Sequence, residues 1–260
     1  MAETEHSLLS IPLGDHGIPA YRACDADSPR AAIILIHEVW GLTDHIKSVA
    51  DRLCQQGYEA IAPDLIANTD VAKVLNPELQ KVIFDPIERP KHQVEIRAMM
   101  APLSSPDFAE ATLQKLQAVF DYLKADKNIT KIGVVGFCFG GTYSFGLAAQ
   151  QPQLAAAVPF YGHGEQYIDK FADINCPVLA FYGEQDESLN AHIPQIEKAM
   201  KDNGKRFSYR VYPEAKHAFF NDTNPLTYNP AAAEDAWDRM LDFLKQNLSQ
   251  KEKSSKTTSV

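Results

Sequence analysis

The six residues Gly136-Phe137-Cys138-Phe139-Gly140-Gly141 constrain this chain more than any other stretch, because they set a thiol between two different kinds of backbone. Ahead of them, Lys131-Ile132-Gly133-Val134-Val135 is a short β-branched run that reads as a strand. Behind them, Thr142-Tyr143-Ser144-Phe145-Gly146-Leu147-Ala148-Ala149 continues as a helix. A strand must therefore become a helix within a few residues, and glycines two before and two after Cys138 leave room where a larger side chain would clash. The G-x-S-x-G elbow has this strand-turn-helix context, with serine where this chain carries cysteine. Such a corner pushes the central side chain outward. It also sets the sulfur near the positive end of the following helix, which favours thiolate. The segment predicts a cysteine nucleophile of the kind hydrolases use.

The remaining sequence repeats the same alternation. Ala31-Ala32-Ile33-Ile34-Leu35-Ile36 is a continuous apolar run, as expected for a strand covered on both faces. Residues 44–56 read as an amphipathic helix through Ile46, Val49, Ala50 and Leu53, ended by Gly57. Residues 58–63 read as the next strand and 108–123 as a helix, with Leu113, Leu116, Val119, Phe120 and Leu123 on one face. Further strands are expected at 155–161, 177–183 and 207–212, with helices at 193–201 and 231–248. Strands alternating with helices imply an α/β fold, a mostly parallel central sheet with helices on both faces. Residues 1–248 are read as one such domain. Within it, 66–100 mixes Asn, Pro and charge and is read as an excursion over the active-site edge. The tail 249–260 has almost no apolar content and is expected to be disordered.

A formal charge of −9 argues against nucleic acid or an anionic membrane as partner. No apolar run approaches the roughly 20 residues of a bilayer span. The acidic start, Met1 to His6, lacks the basic and apolar blocks of a secretory signal. Cys24, Cys54, Cys138 and Cys176 are scattered, without C-x-x-C pairs or zinc spacing. The expectation is a cytoplasmic monomer or small homo-oligomer, with no metal and no organic cofactor, and with Cys24, Cys54 and Cys176 structural.

A thiol at an elbow needs a base and a group to orient it. In the α/β-hydrolase arrangement the order along the chain is nucleophile, acid, histidine. Gly183-Glu184-Gln185-Asp186 follows one expected strand, and Ala215-Lys216-His217-Ala218-Phe219 follows the last. Ligand crevices of open α/β sheets lie at the carboxyl ends of strands, so three strands would deliver their groups to one edge. His217 would take and return a proton, and Asp186 would fix its tautomer. Glu184 competes with Asp186, which sits deeper in its loop, and His163 competes with His217. The Phe139 N–H and an N–H after Ile36, most simply that of Val39, would hold an oxyanion. A non-catalytic α/β domain that binds a small ligand or a protein is the alternative.

These residues, together with His37-Glu38-Val39-Trp40-Gly41-Leu42, resemble the dienelactone hydrolase (carboxymethylenebutenolidase) family, over roughly 33–244. The order H-E-x-x-G-L, G-x-C-x-G-G, G-x-x-D, H-x-F carries the likeness, and the spacing between its parts looks like the family's own. The resemblance implies an α/β-hydrolase fold and hydrolysis of a lactone or small ester. It also implies a fourth participant, Glu38, which would lie near the resting thiol and help form the thiolate when substrate arrives. One departure concerns the substrate. Family members acting on dienelactone hold its carboxylate with arginines, one of them four residues past the catalytic histidine. That position here is Asn221, beside Asp222. Arg89 or Arg97 would be the substitute, and the substrate is expected to be neutral. Trp40, Tyr143, Tyr161 and Phe219 are candidate apolar pocket walls, with the core as the equal alternative for each.

Overall fold

The computed structural model describes residues 5–24, 31–69, 71–72, 79, 82 and 87–249. Of the excursion 66–100, residues 70, 73–78, 80–81 and 83–86 fall outside them, as does the expected disordered tail after Ser249. Eight strands form one sheet in the order β1-β2-β4-β3-β5-β6-β7-β8. β3 (Ala31–Ile36), β4 (Tyr58–Pro63), β5 (Lys131–Phe137), β6 (Ala156–Phe160), β7 (Val178–Gly183) and β8 (Phe207–Tyr212) run parallel. The sequence reading missed β1 (Glu5–Ile11) and β2 (Ile18–Cys24), an antiparallel hairpin on the β4 edge. Its residues alternate only loosely, and Leu8 is exposed, so neither the period nor the apolar content marks a strand.

Seven helices are described: α1 (Asp44–Gln55), α2 (Gln93–Met100), α3 (Pro106–Ala125), α4 (Phe139–Gln150), α5 (Glu187–Asn190), α6 (Ile193–Asp202) and α7 (Pro230–Leu248). Two start earlier than the apolar periodicity suggests, because capping rather than burial decides a helix start. Ser105 accepts the Phe108 N–H at 3.2 Å, and Asn229 accepts the Ala232 N–H at 3.1 Å, each followed by proline at the first helical position. A 3-10 helix at Gly164–Asp173, packed on α4, was also missed.

Helices cover both faces of the sheet. A Cβ on Gly133 would meet Leu248 of α7, whereas one on Gly136 would meet Gly140 and Ser144 of α4. Residues three apart on a strand point to opposite faces, so α4 and α7 lie on opposite sides. α1 shares the α7 face, its Arg52 guanidinium lying 3.8 Å over the Trp237 ring. α4 is apolar all round because it is buried all round: Gly140 through Ala149 are buried without exception.

The chain reverses its direction of growth between β3 and β5. β4 lies on one side of β3 and every later strand on the other, and such a switch point opens a crevice at the strands' carboxyl ends. Register fixes what surrounds it. Phe137, Phe160 and Phe181 are cross-strand partners, with adjacent ring centroids 4.6 and 4.7 Å apart. This ladder forms an apolar floor, and Cys138 and Tyr161 stand one residue beyond it.

Gly140 is required by space: its Cβ would lie 2.3 Å from the Ile36 carbonyl oxygen and 2.8 Å from that of His37. Gly57 is required by conformation instead, with φ +85° and open space around it. Gly57→Ala should cost about 1–2 kcal/mol. Gly140→Ala should cost at least about 3 kcal/mol, since backbone must move. Urea unfolding of the two variants compares them; equal costs would refute the close-approach account.

Candidate active site

The crevice is built from five loops, each leaving the carboxyl end of a parallel strand. Cys138 follows β5 and has φ 54° and ψ −111°, a conformation that non-glycine residues rarely adopt. Its N–H bonds the Phe160 carbonyl at 3.0 Å, and its carbonyl accepts the Thr142 N–H at 3.0 Å, so the corner is held on both sides. Tyr161 (φ 38°) and Ala218 (φ 60°) are also left-handed. Three of the five such non-glycine residues among those described thus surround one crevice. Each costs on the order of 1–3 kcal/mol and persists because its surroundings fix it.

Cys138, Asp186 and His217 come together. His217 Nδ1 lies 2.5 Å from Asp186 Oδ2, and Cys138 stands close enough to the imidazole to influence its ionisation. The loops that carry acid and base are stitched to each other: the Gln185 N–H bonds the Ala215 carbonyl at 2.9 Å. Asn190 braces the acid loop from within, donating to the carbonyls of Gly183 at 2.8 Å and Glu184 at 3.0 Å. The rivals go elsewhere. Glu184 accepts the Glu214 N–H at 2.9 Å, and His163 Nδ1 pairs with Glu165 at 2.7 Å. Burial works against a charged His217, but the neighbouring Cys138 and Asp186 outweigh it and hold its pKa well above the ordinary 6.5. The side chain is 38 % exposed, so solvent tempers that effect.

Glu38 stands across the crevice, 3 % exposed, in the loop after β3. Asn221 Nδ2 donates to one carboxyl oxygen at 2.7 Å, and the Tyr161 hydroxyl lies 3.5 Å from the other. Burial raises the Glu38 pKa; His45, Asn221, His217 and Tyr161 oppose that rise. The Tyr161 hydroxyl is itself held well above its ordinary pKa by burial and by Glu38, so it remains a donor. The residue before Glu38 entered the sequence reading only as the first letter of a motif, with no role assigned. His37 is buried, its Nδ1 bonding the Glu38 carbonyl and its Nε2 accepting the Leu65 N–H at 3.0 Å. An imidazole that donates at one nitrogen and accepts at the other is neutral, in line with the burial that lowers its pKa. It staples the Glu38 loop to the segment after β4.

Among the described residues neither the Val39 nor the Phe139 N–H has a backbone partner. Beside Phe139 opens a cavity of about 220 Å³, lined by Leu103, Phe139, Thr142, Tyr143 and Gln166. Leu103, Thr142 and Gln166 carry no sequence signal that would have marked them. Trp40 is half-buried in the turn after Glu38. Two candidate pocket walls are corrected. Phe219 has no exposed surface and packs among Phe160, Tyr161 and Tyr212, so its ring belongs to the core. Tyr161 is equally buried and acts through its hydroxyl and its ring, 5.0 Å from that of His217. Arg97 lies on α2 and Arg89 in the 3-10 turn before it; their side chains fall outside the described residues. Cys54 and Cys176 are buried, and burial pushes the Cys176 thiol up to about 12. Among the described residues no helix is long and apolar enough to cross a membrane, and no cluster of His, Cys, Asp and Glu could hold a metal ion.

Residues 18–248 match the model of the dienelactone hydrolase family. A Saccharolobus solfataricus protein provisionally named carboxymethylenebutenolidase is 35% identical over 235 residues, 85% of this chain and 91% of that protein. A Methylorubrum extorquens protein with the same provisional name is 34% identical over 253 residues, 92% of this chain and 80% of its own length. Among solved structures, a Klebsiella pneumoniae protein provisionally named dienelactone hydrolase superposes with a TM-score of 0.75 at 29% identity, over 94% of this chain and 99% of that one.

The buried Glu38 carboxyl sets a pH-dependent cost. A carboxyl whose folded pKa is raised binds more protons folded than unfolded, so stability falls as pH climbs above the model-compound value of 4.5. Glu38→Gln keeps the hydrogen bond from Asn221 and removes the charge. It should raise the melting temperature by a few degrees at neutral pH, with the gain vanishing towards pH 4.5. Thermal denaturation across that range checks the sign; no gain at neutral pH would contradict the burial cost.

Proposed function

The chain belongs to the dienelactone hydrolase family, and from that premise we propose that it hydrolyses a lactone or small ester through an acyl-enzyme on Cys138. The observation that carries this reading is the convergence of Cys138, at a strained strand-to-helix corner, with the hydrogen-bonded pair His217–Asp186. Asp186 occupies His217 Nδ1, so the other ring nitrogen serves the thiol. When substrate arrives, the thiol proton passes to the Glu38 carboxylate while His217 stays as imidazolium, and sulfur attacks the ester carbonyl. The developing oxyanion is held by the N–H groups of Val39 and Phe139. Collapse of that intermediate breaks the bond to the alkoxy oxygen, which takes its proton from His217; in a lactone this opens the ring. Water, deprotonated by His217, then attacks the thioester; the acid is released, and the expelled thiolate takes its proton back from Glu38.

Two observations support an uncharged acyl group. Asn221 is buried, with its amide engaged by Glu38 and Thr223, so it has no cationic clamp to offer. The cavity beside Phe139 is lined by neutral side chains among the described residues. A fixed cation would be needed to repay the desolvation of a substrate carboxylate there.

A panel of lactones and esters, each with and without a carboxylate, tests both halves of the proposal against wild type, Cys138→Ala and Asp186→Asn. Cys138→Ala should lose at least about 10³-fold in kcat/KM. Asp186→Asn should lose about 10²–10⁴-fold through the wrong imidazole tautomer. Neutral substrates should be preferred. Undiminished hydrolysis by Cys138→Ala would overturn the nucleophile, and a strong preference for carboxylated lactones would overturn the substrate class.

A further inference from the structure

The loop that follows β8 carries more than His217. Four and five residues later, Asn221 and Asp222 each reach across to the β3–α1 region, one to Glu38 and the next to His45. Asn221 is 2 % exposed and its amide is oriented without ambiguity. The Thr223 N–H can only donate, and it lies 3.1 Å from Asn221 Oδ1, with the Thr223 hydroxyl donating to the same oxygen at 2.7 Å. The NH₂ end is thereby left facing Glu38. Asp222 Oδ1 lies 2.9 Å from His45 Nδ1. His45, on α1, is 2 % exposed and packs edge-on against Phe137 and Phe220 at 6.1 Å from each. Its Nε2 is buried without a hydrogen-bond partner among the described residues, an arrangement that costs on the order of 1–3 kcal/mol.

The loop after β8 thus ties this ring and the Glu38 carboxyl group together through two adjacent residues. We propose that His45, anchored by Asp222, is a positioning residue for Glu38, and that Asn221 and Asp222 form a two-residue latch that keeps this carboxyl group in place while it changes protonation state. The inference rests on the reading of Glu38 as a group that accepts the thiol proton. An amide donor suits that task, because NH₂ can donate to a carboxylate oxygen and equally to the carbonyl oxygen of the neutral acid. An arginine at the same place would form an ion pair that weakens when the acid is protonated. His45 supplies the electrostatic half: among the groups that oppose the effect of burial on Glu38 it is the foremost, ahead of Asn221. The charged and titratable groups around this assembly are Glu38 after β3, His45 and Arg52 on α1, Asp222 and Tyr228 after β8, and His217 and Tyr161 on the crevice side.

The test is the pH dependence of kcat/KM on an activated ester, with iodoacetamide alkylation of Cys138 as a substrate-free readout. It compares wild type, His45→Gln, Asp222→Asn, Glu38→Gln and the double variant His45→Gln/Glu38→Gln. His45→Gln removes the group that favours ionised Glu38, so the acidic limb should move to higher pH. One unit of movement would reduce kcat/KM about tenfold on that limb. Asp222→Asn, at a half-exposed position that tolerates the isosteric change, should move the limb less and in the same direction. In the Glu38→Gln background, His45→Gln should move nothing. If Glu38→Gln alters the profile while His45→Gln and Asp222→Asn leave it in place, the latch is wrong and Glu38 keeps its role. If Glu38→Gln itself changes neither activity nor alkylation, the reading of Glu38 fails and the latch fails with it.

Discussion

Everything at the crevice depends on how closely the corner after β5 approaches the end of β3. The Gly140 N–H bonds the His37 carbonyl at 3.1 Å, and no side chain larger than hydrogen fits between them. Because β3 and β5 are adjacent and in register, that one contact pulls the Glu38 loop against the residue that turns out of β5. The His37 ring then lies parallel to that of Phe139, with centroids 5.7 Å apart, extending the seam from backbone to side chains. Backbone approach of this kind is cheap only with glycine. The motif is thus read here as a packing requirement between two strands, and the outward thiol is its consequence.

Desolvation decides the electrostatics. Glu38, His37 and Tyr161 all sit where water does not reach, and for each the leading influence on ionisation is burial. The three are pushed towards their neutral forms, by raising acid pKa values and lowering that of histidine. His217 departs from this pattern, because Cys138 and Asp186 flank it and reverse the effect of burial. One side of the crevice therefore favours neutral groups and the other favours a charged imidazole. A proton moving from thiol to base crosses between these environments, and the cost of that transfer is set by the loops after β3 and β8.

Much of this was legible in the chain, for identifiable reasons. The parallel strands β3 to β7 announced themselves because burial on both faces demands largely apolar runs such as 31–36, whereas the edge strand β8 is mostly exposed and was marked by its aromatic and β-branched residues. The elbow and the order nucleophile, acid, histidine were legible because backbone geometry admits few residue types there. The β1–β2 hairpin was not, since an edge with one wet face leaves Glu5–Ile11 looking like any polar segment. Whether Phe219 and Tyr161 line the pocket or the core stayed open in the sequence, because an aromatic beside a catalytic position gives no sign of which way its ring points; both are buried. Asn221 was read as a missing clamp; its use as the partner of Glu38, 183 residues away, could not be seen along the chain.

The sequence by itself determined the alternation of strand and helix, the thiol at the corner and the supply of acid and base in workable order, because local sterics and periodicity are written residue by residue. Only the tertiary structure decided that Asp186 and not Glu184 meets His217, that Glu38 is buried, and that Asn221 and Asp222 hold its surroundings. Those facts depend on which loops converge at the switch point between β3 and β5, and on how much water their packing excludes. Both are properties of the assembled sheet, to which residues far apart in the chain contribute jointly.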